Sequence, residues 1–434
     1  MNFRTNPDIY SLLFTQRIHS MNKIYHLTII ILIISSCNGS RQGNKIVKTE
    51  KYMVSDSTKL YGYNKNFLQK FTSVVELRKD KSALLVVPAW QGRVMTSTSE
   101  GDSGFSFGWV NRNLIASRKL SPHINAFGGE ERLWLGPEGG QFSIFFSKGK
   151  NFTFENWQTP AFIDTKPFTI TSQSDTTVSL ECNEVIKNYS GTVFSIGIKR
   201  DIMLLSGKDL LNQEGIDISG LNCIAYSSKN TLSNKGKNAW KKTSGLLSIW
   251  MLGMFIPSDS VVIAIPFHEG DEKILGVKVN DNYFGKISEN RLKVTGNHIF
   301  LKADGKSRGK IGLNPQRAAG VMGSFDAENN ILTLLLCKLP ENVTDYVNSS
   351  WQIQKNPFSG DALNSYNDGP LEDGSQMGPF YELETSSPAA ALVSGESISH
   401  IQTTIHLTGD RKLLNNISLK TLGVSLEEID KAFR

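Results

Sequence analysis

From Thr72 onward, apolar and polar residues alternate with a period of two in segment after segment. Successive side chains of an extended chain point to opposite faces, so this alternation marks strands with one face on a core. The pattern predicts strands over 73–77, 83–87, 93–96, 142–146, 168–171, 178–185 and 192–203. It continues over 246–251, 261–265, 299–302, 319–325, 331–336, 381–385 and 398–407. Gly, Asn and Asp fill the gaps between them, as Asp326 and Asn330 do around one turn. Many strands with few helical periods predict an all-β fold, a large antiparallel β-supersandwich over 71–410 with no internal boundary. Helical periods are confined to a short tail over 411–434, at 418–422 and 425–433, where Ser425 and Glu428 have the spacing of a capping box. The mixed stretch 207–220 reads as a loop or a short helix. No internal repeat stands out. The absence of a GxGxxG run, a Walker loop and βαβ alternation argues against nucleotide folds.

The N-terminal segment has a different pattern. Met21-Asn22-Lys23 opens a short basic region, and residues 24–34 are almost wholly apolar, too short to span a bilayer comfortably. Ile34-Ser35-Ser36-Cys37 follows: a branched apolar residue, two small ones and a cysteine. This resembles a bacterial lipobox, which implies cleavage before Cys37 and acylation of that residue. On this reading 21–37 is a lipoprotein signal segment with Met21 as the start, and 1–20 is an upstream extension. Residues 38–70 are polar and read as a flexible tether. The expected location is the cell envelope, facing the periplasm, with the membrane contacted through the lipid on Cys37.

Composition narrows the partners. The net charge of +6 comes from scattered lysines rather than a basic stripe, which excludes nucleic acid as an expected partner. Cys182, Cys223 and Cys337 remain after processing, an odd number set in apolar runs, and read as buried thiols. No CxxC or His-rich spacing is present, so neither a metal nor a cofactor is expected.

Three stretches carry candidate chemistry. The Gly-rich stretch 121–140 packs His123, Asn125, Glu130, Glu131, Arg132, Trp134 and Glu138 together. Tryptophan faces stack on the C–H side of a pyranose while Arg, Asn and Glu bind hydroxyls, so a carbohydrate ligand is the partner this mixture suggests. The alternative is a structural loop in which Arg132 pairs with a nearby glutamate and Trp134 is core. Trp157, in an aromatic and amide-rich segment, is a second platform candidate, with strand packing as its alternative. The second stretch is the strand around Glu382 and Glu384, two carboxylates that the period-two rule puts on one face. The third, 366–378, is an acidic loop leading into that strand. Separately, Arg308, Lys310 and Arg317 bring three cations near a predicted strand, suited to an anionic substrate or simply to an exposed turn.

The C-terminal order is Tyr381-Glu382-Leu383-Glu384-Thr385, then Ser387-Pro388, then Ser394-Gly395-Glu396 before a final strand. It resembles the end of the galactose mutarotase (aldose 1-epimerase) superfamily, where a Leu-Glu-Thr strand carries the general base. The chain as a whole looks like a Bacteroidota-type lipoprotein related to that fold. The resemblance implies a mutarotase or epimerase acting at the anomeric region of a sugar. Glu384 would be the base, His123 or His268 the acid, and Asn125, Arg132, Trp134, Glu138, Trp157 and Glu382 the sugar-binding residues. In the superfamily a histidine precedes Gly-Gly in an early loop, and here Phe127 holds that place before Gly128-Gly129. That departure supports the alternative of a non-catalytic carbohydrate-binding lipoprotein on the same fold.

Overall fold

The structure is a computed structural model and describes residues 56–434. Residues 1–20, the signal segment with Cys37, and the tether up to residue 55 lie outside the described residues.

Among the described residues, eighteen strands form three antiparallel sheets. A ten-stranded sheet runs, edge to edge, through Leu292–Thr295, His298–Lys302, Val261–Pro266, Val321–Asp326 and Ile331–Cys337. It continues through Ser397–Gly409, Leu221–Asn234, Val193–Leu205, Thr177–Lys187 and Thr169–Gln173. A five-stranded sheet has the order Gly309–Leu313, Leu363–Asn367, Tyr381–Ser386, Ser248–Phe255 and Arg132–Gly136. A three-stranded meander joins Val75–Lys79, Ser82–Val87 and Arg93–Thr98. The expected all-β antiparallel sandwich with a helical tail is therefore present.

The two larger sheets face each other across a shared core. Leu383, Phe255 and Ile311 of the smaller sheet pack with Ile263, Leu301 and Leu335 of the larger one. The tail helices Arg411–Thr421 and Leu426–Lys431 cover the other face of the ten-stranded sheet, with Leu414, Ile417 and Ile429 against Phe325, Leu332 and Ile405. The capping box forms: the Ser425 hydroxyl accepts from the Glu428 N–H at 3.1 Å, and the Glu428 carboxylate accepts from the Ser425 N–H at 3.0 Å.

The core is not wholly apolar. Glu131 pairs with Arg200 at 2.5 Å and accepts from Ser228 at 2.9 Å, all three fully buried. Thr385 shares hydrogen bonds with His400 Nε2 at 2.7 Å and Gln402 Oε1 at 2.8 Å. A network this deep holds only because each member finds partners.

Three expectations need correction. The flexible tether over 38–70 fails at its C-terminal end, because Tyr61–Gln69 is a helix that buries Tyr61 and Leu68 in a cluster with Val110 and Phe127. The polar residues between those two anchors hid a one-sided apolar stripe. The strand expected over 142–146 does not form. The chain turns there, with Ser143 N–H donating to Gly140 and Ile144 N–H to Pro137, and its aromatics pack individually rather than on a sheet. Finally, Arg132–Gly136, within the Gly-rich stretch, and Leu363–Asn367, whose last two residues were read as the start of the acidic loop, are strands whose every residue is buried. With both faces covered, a strand loses the alternation that identifies it.

Candidate active site

Register places the candidate residues on one sheet face. Residues directly opposite in an antiparallel pair point the same way. Glu384 lies opposite Asn364 on one side and Leu252 on the other, and Glu382 opposite Tyr366 and Met254. Leu252 in turn faces Arg132, and Trp250 faces Trp134. On the far side, Tyr366 faces Lys310. The face turned away from the ten-stranded sheet therefore carries Lys310, Asn364, Glu382, Glu384, Trp250, Arg132 and Trp134. Leu383 and Thr385, between the two glutamates, point into the core.

Glu384 is fully buried, and its oxygens are engaged. Lys310 Nζ lies 3.1 and 2.9 Å from its two oxygens, and Trp250 Nε1 donates to one of them at 2.9 Å. The ammonium also sits 4.6 Å from the centre of the Trp250 ring. Two residues away, Arg132 donates to Glu382 at 2.7 Å and lies 4.5 Å over the Trp134 ring. Burial pushes the Glu382 carboxyl up, opposed by Arg132 and reinforced by Glu384.

A narrow cleft opens beside this row. Its lining includes Glu138, Trp250, Tyr283, Lys310, Asp361 and Asn364. Tyr283 donates to Asp361 at 2.6 Å and receives the Asn364 amide at 3.1 Å. Glu138 reaches the cleft from the turn after the Arg132–Gly136 strand, and part of it meets solvent. Burial pushes its carboxyl up to about 7, against the pull of Lys310 and the indoles of Trp351 and Trp157, while Glu384 adds to the rise. The aromatic wall is continuous: Trp134 and Trp250 meet edge to face at 5.5 Å, and Trp157 and Trp351 stack at 5.8 Å. Nε1 of Trp134 is buried without a hydrogen-bond partner. Buried indole N–H groups usually find one.

Glu382, Glu384, Arg132, Trp134, Glu138 and Trp157 are thus neighbours, although they come from distant segments. Arg132 pairs with Glu382, whereas the adjacent Glu131 serves Arg200. Trp134 is 4% exposed with its face under the Arg132 guanidinium, so it is packed behind Trp250 rather than an open platform. Asn125 is elsewhere, its amide donating to Asp164 at 2.8 Å while its carbonyl receives the Ser121 N–H. His123 holds the Trp157 carbonyl through Nδ1 at 2.7 Å and touches Phe154, and it contacts the cleft only through that segment. His268 follows the Val261–Pro266 strand of the other sheet, where its backbone is tied to Arg317. Neither histidine lines the cleft. Phe127 stacks on Trp90 at 4.2 Å in the N-terminal cluster and does not line it either.

Sequence reasoning missed Trp250, Trp351, Tyr283 and Asp361, whose segments carry no motif. Lys310 was visible only as one of three cations. Of the other two, Arg308 is exposed over Phe284, and Arg317 is spent on the carbonyls of His268, Gly270 and Gly276.

The chain matches a family of unknown function (DUF6786) over residues 59–433. It belongs to that family. No protein of curated function matches it. Among solved structures, this DUF6786 member is similar to the Slr1438 protein of Synechocystis, at 13% identity and TM-score 0.45, covering 78% of this chain and 96% of that one. It is similar to a galactose mutarotase-like protein from Lactobacillus casei, at 10% identity and TM-score 0.45, covering 77% and 100%. A galactose mutarotase related enzyme from Lactobacillus acidophilus matches at 8% identity and TM-score 0.42, covering 78% and 97%. No residue role follows from likenesses this distant.

Proposed function

We propose that this chain binds a carbohydrate in the tryptophan-walled cleft and accelerates exchange at the sugar's anomeric centre, as a mutarotase or epimerase does. The observation that carries the proposal is the convergence of Glu384, Lys310 and Glu138 beside Trp250, Trp134 and Trp351. Carboxyl groups, a cation and aromatic faces are what a pyranose site requires. In this reading Glu384 is the general base for the anomeric hydroxyl. Lys310 pairs with it and orients it until the substrate enters. Arg132 and Glu382 extend the polar row along the sheet, and Asn364 and Asp361 bind hydroxyls. The protein works at the cell envelope, anchored by acylated Cys37 and facing the periplasm. The lipobox-like Ile34-Ser35-Ser36-Cys37 supports that placement.

A second reading is a carbohydrate-binding lipoprotein without catalysis. It is favoured by the complete burial of Glu384 and the engagement of its oxygens by Lys310 and Trp250. Saturation-transfer NMR of anomer exchange, over hexoses, uronic acids and short glycans, separates the two. Faster exchange supports the enzyme. Binding without faster exchange leaves the binding protein, and neither signal removes both.

A further inference from the structure

Anomeric exchange needs a proton donor as well as a base, and among the described residues no histidine lines the cleft. It holds a second carboxyl group instead. Glu138 is fixed through its backbone on both sides: its N–H donates to Ser349 Oγ at 3.2 Å, and its carbonyl accepts the Ser143 hydroxyl. The next residues are wedged in place. A Cβ on Gly139 would fall 2.4 Å from the Ser350 carbonyl, and Gly140 has φ +79° with Gln354 against it. The glycines thus dock the turn on the 349–354 segment, which also supplies Trp351. The side chain that emerges lines the cleft.

The titratable and charged groups facing Glu138 are Lys310, Glu384, Asp361 and Tyr283. Asp361 and Tyr283 hold each other, and Lys310 is claimed by Glu384. Glu138 forms no ion pair among the described residues, and it is partly exposed where Glu384 is sealed. Of the three carboxyl groups here, Glu384 is fixed by a cation and Asp361 by Tyr283, which leaves Glu138 to hold a proton. Two carboxyl groups in unlike surroundings divide the acid and base roles.

We infer that Glu138 is the proton donor to the sugar ring oxygen, acting opposite Glu384. This rests on the exchange reading given under the proposed function. The Glu384 carboxylate takes the proton of the anomeric hydroxyl as the C1–O1 double bond forms. The C1–O5 bond breaks, its electron pair stays on O5, and the Glu138 carboxylic acid protonates O5. The open-chain aldehyde rotates about C1–C2. On closure O5 attacks the other face of C1, its proton returns to Glu138, and Glu384 returns its proton to O1. Each group ends as it began, and no further reactant is consumed. Burial, which holds the Glu138 carboxyl near 7, keeps a protonated fraction present at neutral pH.

The test is the pH profile of anomer exchange for the full chain and for Glu138→Gln, on the sugar that gives the largest enhancement. In the native protein the enhancement is expected to fall as pH rises through about 7. In Glu138→Gln it is expected to drop about 10²–10⁴-fold with that limb gone and sugar binding retained. Undiminished exchange in Glu138→Gln with the limb still present overturns the assignment and leaves the exchange reading standing. No enhancement in the native protein at any pH overturns both. Difference infrared titration of the unliganded protein supplies a second readout. A protonated-carboxyl band lost near pH 7 is expected in the native chain and diminished in the variant, where Glu382, itself pushed up to about 7, still contributes; an undiminished band in the variant also overturns the assignment.

Discussion

Lys310 Nζ lies within 3.1 Å of both oxygens of Glu384, so a cation from an edge strand is locked to a carboxylate at the centre of the five-stranded sheet. It reaches across the intervening Leu363–Asn367 strand to do so. The pair is buried on both sides, Glu384 completely. Removing one partner of such a pair strands the other charge in a poorly solvated site. Lys310→Met is therefore expected to cost about 3–5 kcal/mol of stability. Lys310→Met with Glu384→Gln should recover most of that loss. Urea unfolding of the native chain, the single variant and the double variant measures both, and a double variant no better than the single one contradicts the pairing.

Glu384→Gln alone separates chemistry from binding. The amide keeps the shape of the carboxylate but cannot take a proton. Exchange should fall by about 10²–10⁴-fold while sugar affinity stays nearly unchanged. Line-shape and saturation-transfer NMR on one sample reads both quantities. Equal exchange in the variant rules out Glu384 as the base.

The raised Glu138 carboxyl also makes a stability prediction. Its folded-state value, about 7, exceeds the ordinary glutamate value expected in the unfolded chain. The folded state then binds more protons between about 4.5 and 7, so this group's contribution to stability is lost as pH rises through that window. Glu138→Gln removes the loss. The variant is expected to gain on the native protein from pH 5 to pH 8, as read from urea midpoints. A constant difference across that range contradicts the shift.

Phe127, just before Gly128-Gly129, packs on Trp90 beneath Arg93. Phe127→His should therefore not create an acid in the cleft. It should place a polar ring without a partner in the N-terminal cluster, at a cost of about 1–3 kcal/mol, with no gain in anomer exchange. A rise in exchange would show that this position communicates with the cleft after all.

Cys37 is tested in cells. The native chain should incorporate radiolabelled palmitate, and Cys37→Ala should not. Equal labelling of the two rejects the anchor.

The sequence by itself determined the class of fold. Strands with one wet face, such as Thr177–Lys187, show their alternation because solvent and core select opposite residues on opposite sides. The last tail helix was equally legible, since capping is local chemistry between Ser425 and Glu428, whereas the helix before it runs over Arg411–Thr421 and not over 418–422. The sequence also pointed to Glu384 and to the Arg132–Trp134 stretch, but as separate features.

Only the tertiary structure decided that those two features belong to one site. The Ser248–Phe255 strand lies between them, and its burial on both faces erases the periodicity that would have placed it with confidence at its full length. Strand neighbours in a sheet are set by long-range pairing, which leaves no mark in local spacing. Hence Arg132 is paired with Glu382 rather than with adjacent Glu131, and Lys310 with Glu384 rather than with solvent. The same cause removed His123 and His268 from the cleft and brought Glu138 into it. Residue type in a sequence names the chemistry available, and register and burial select which of it converges.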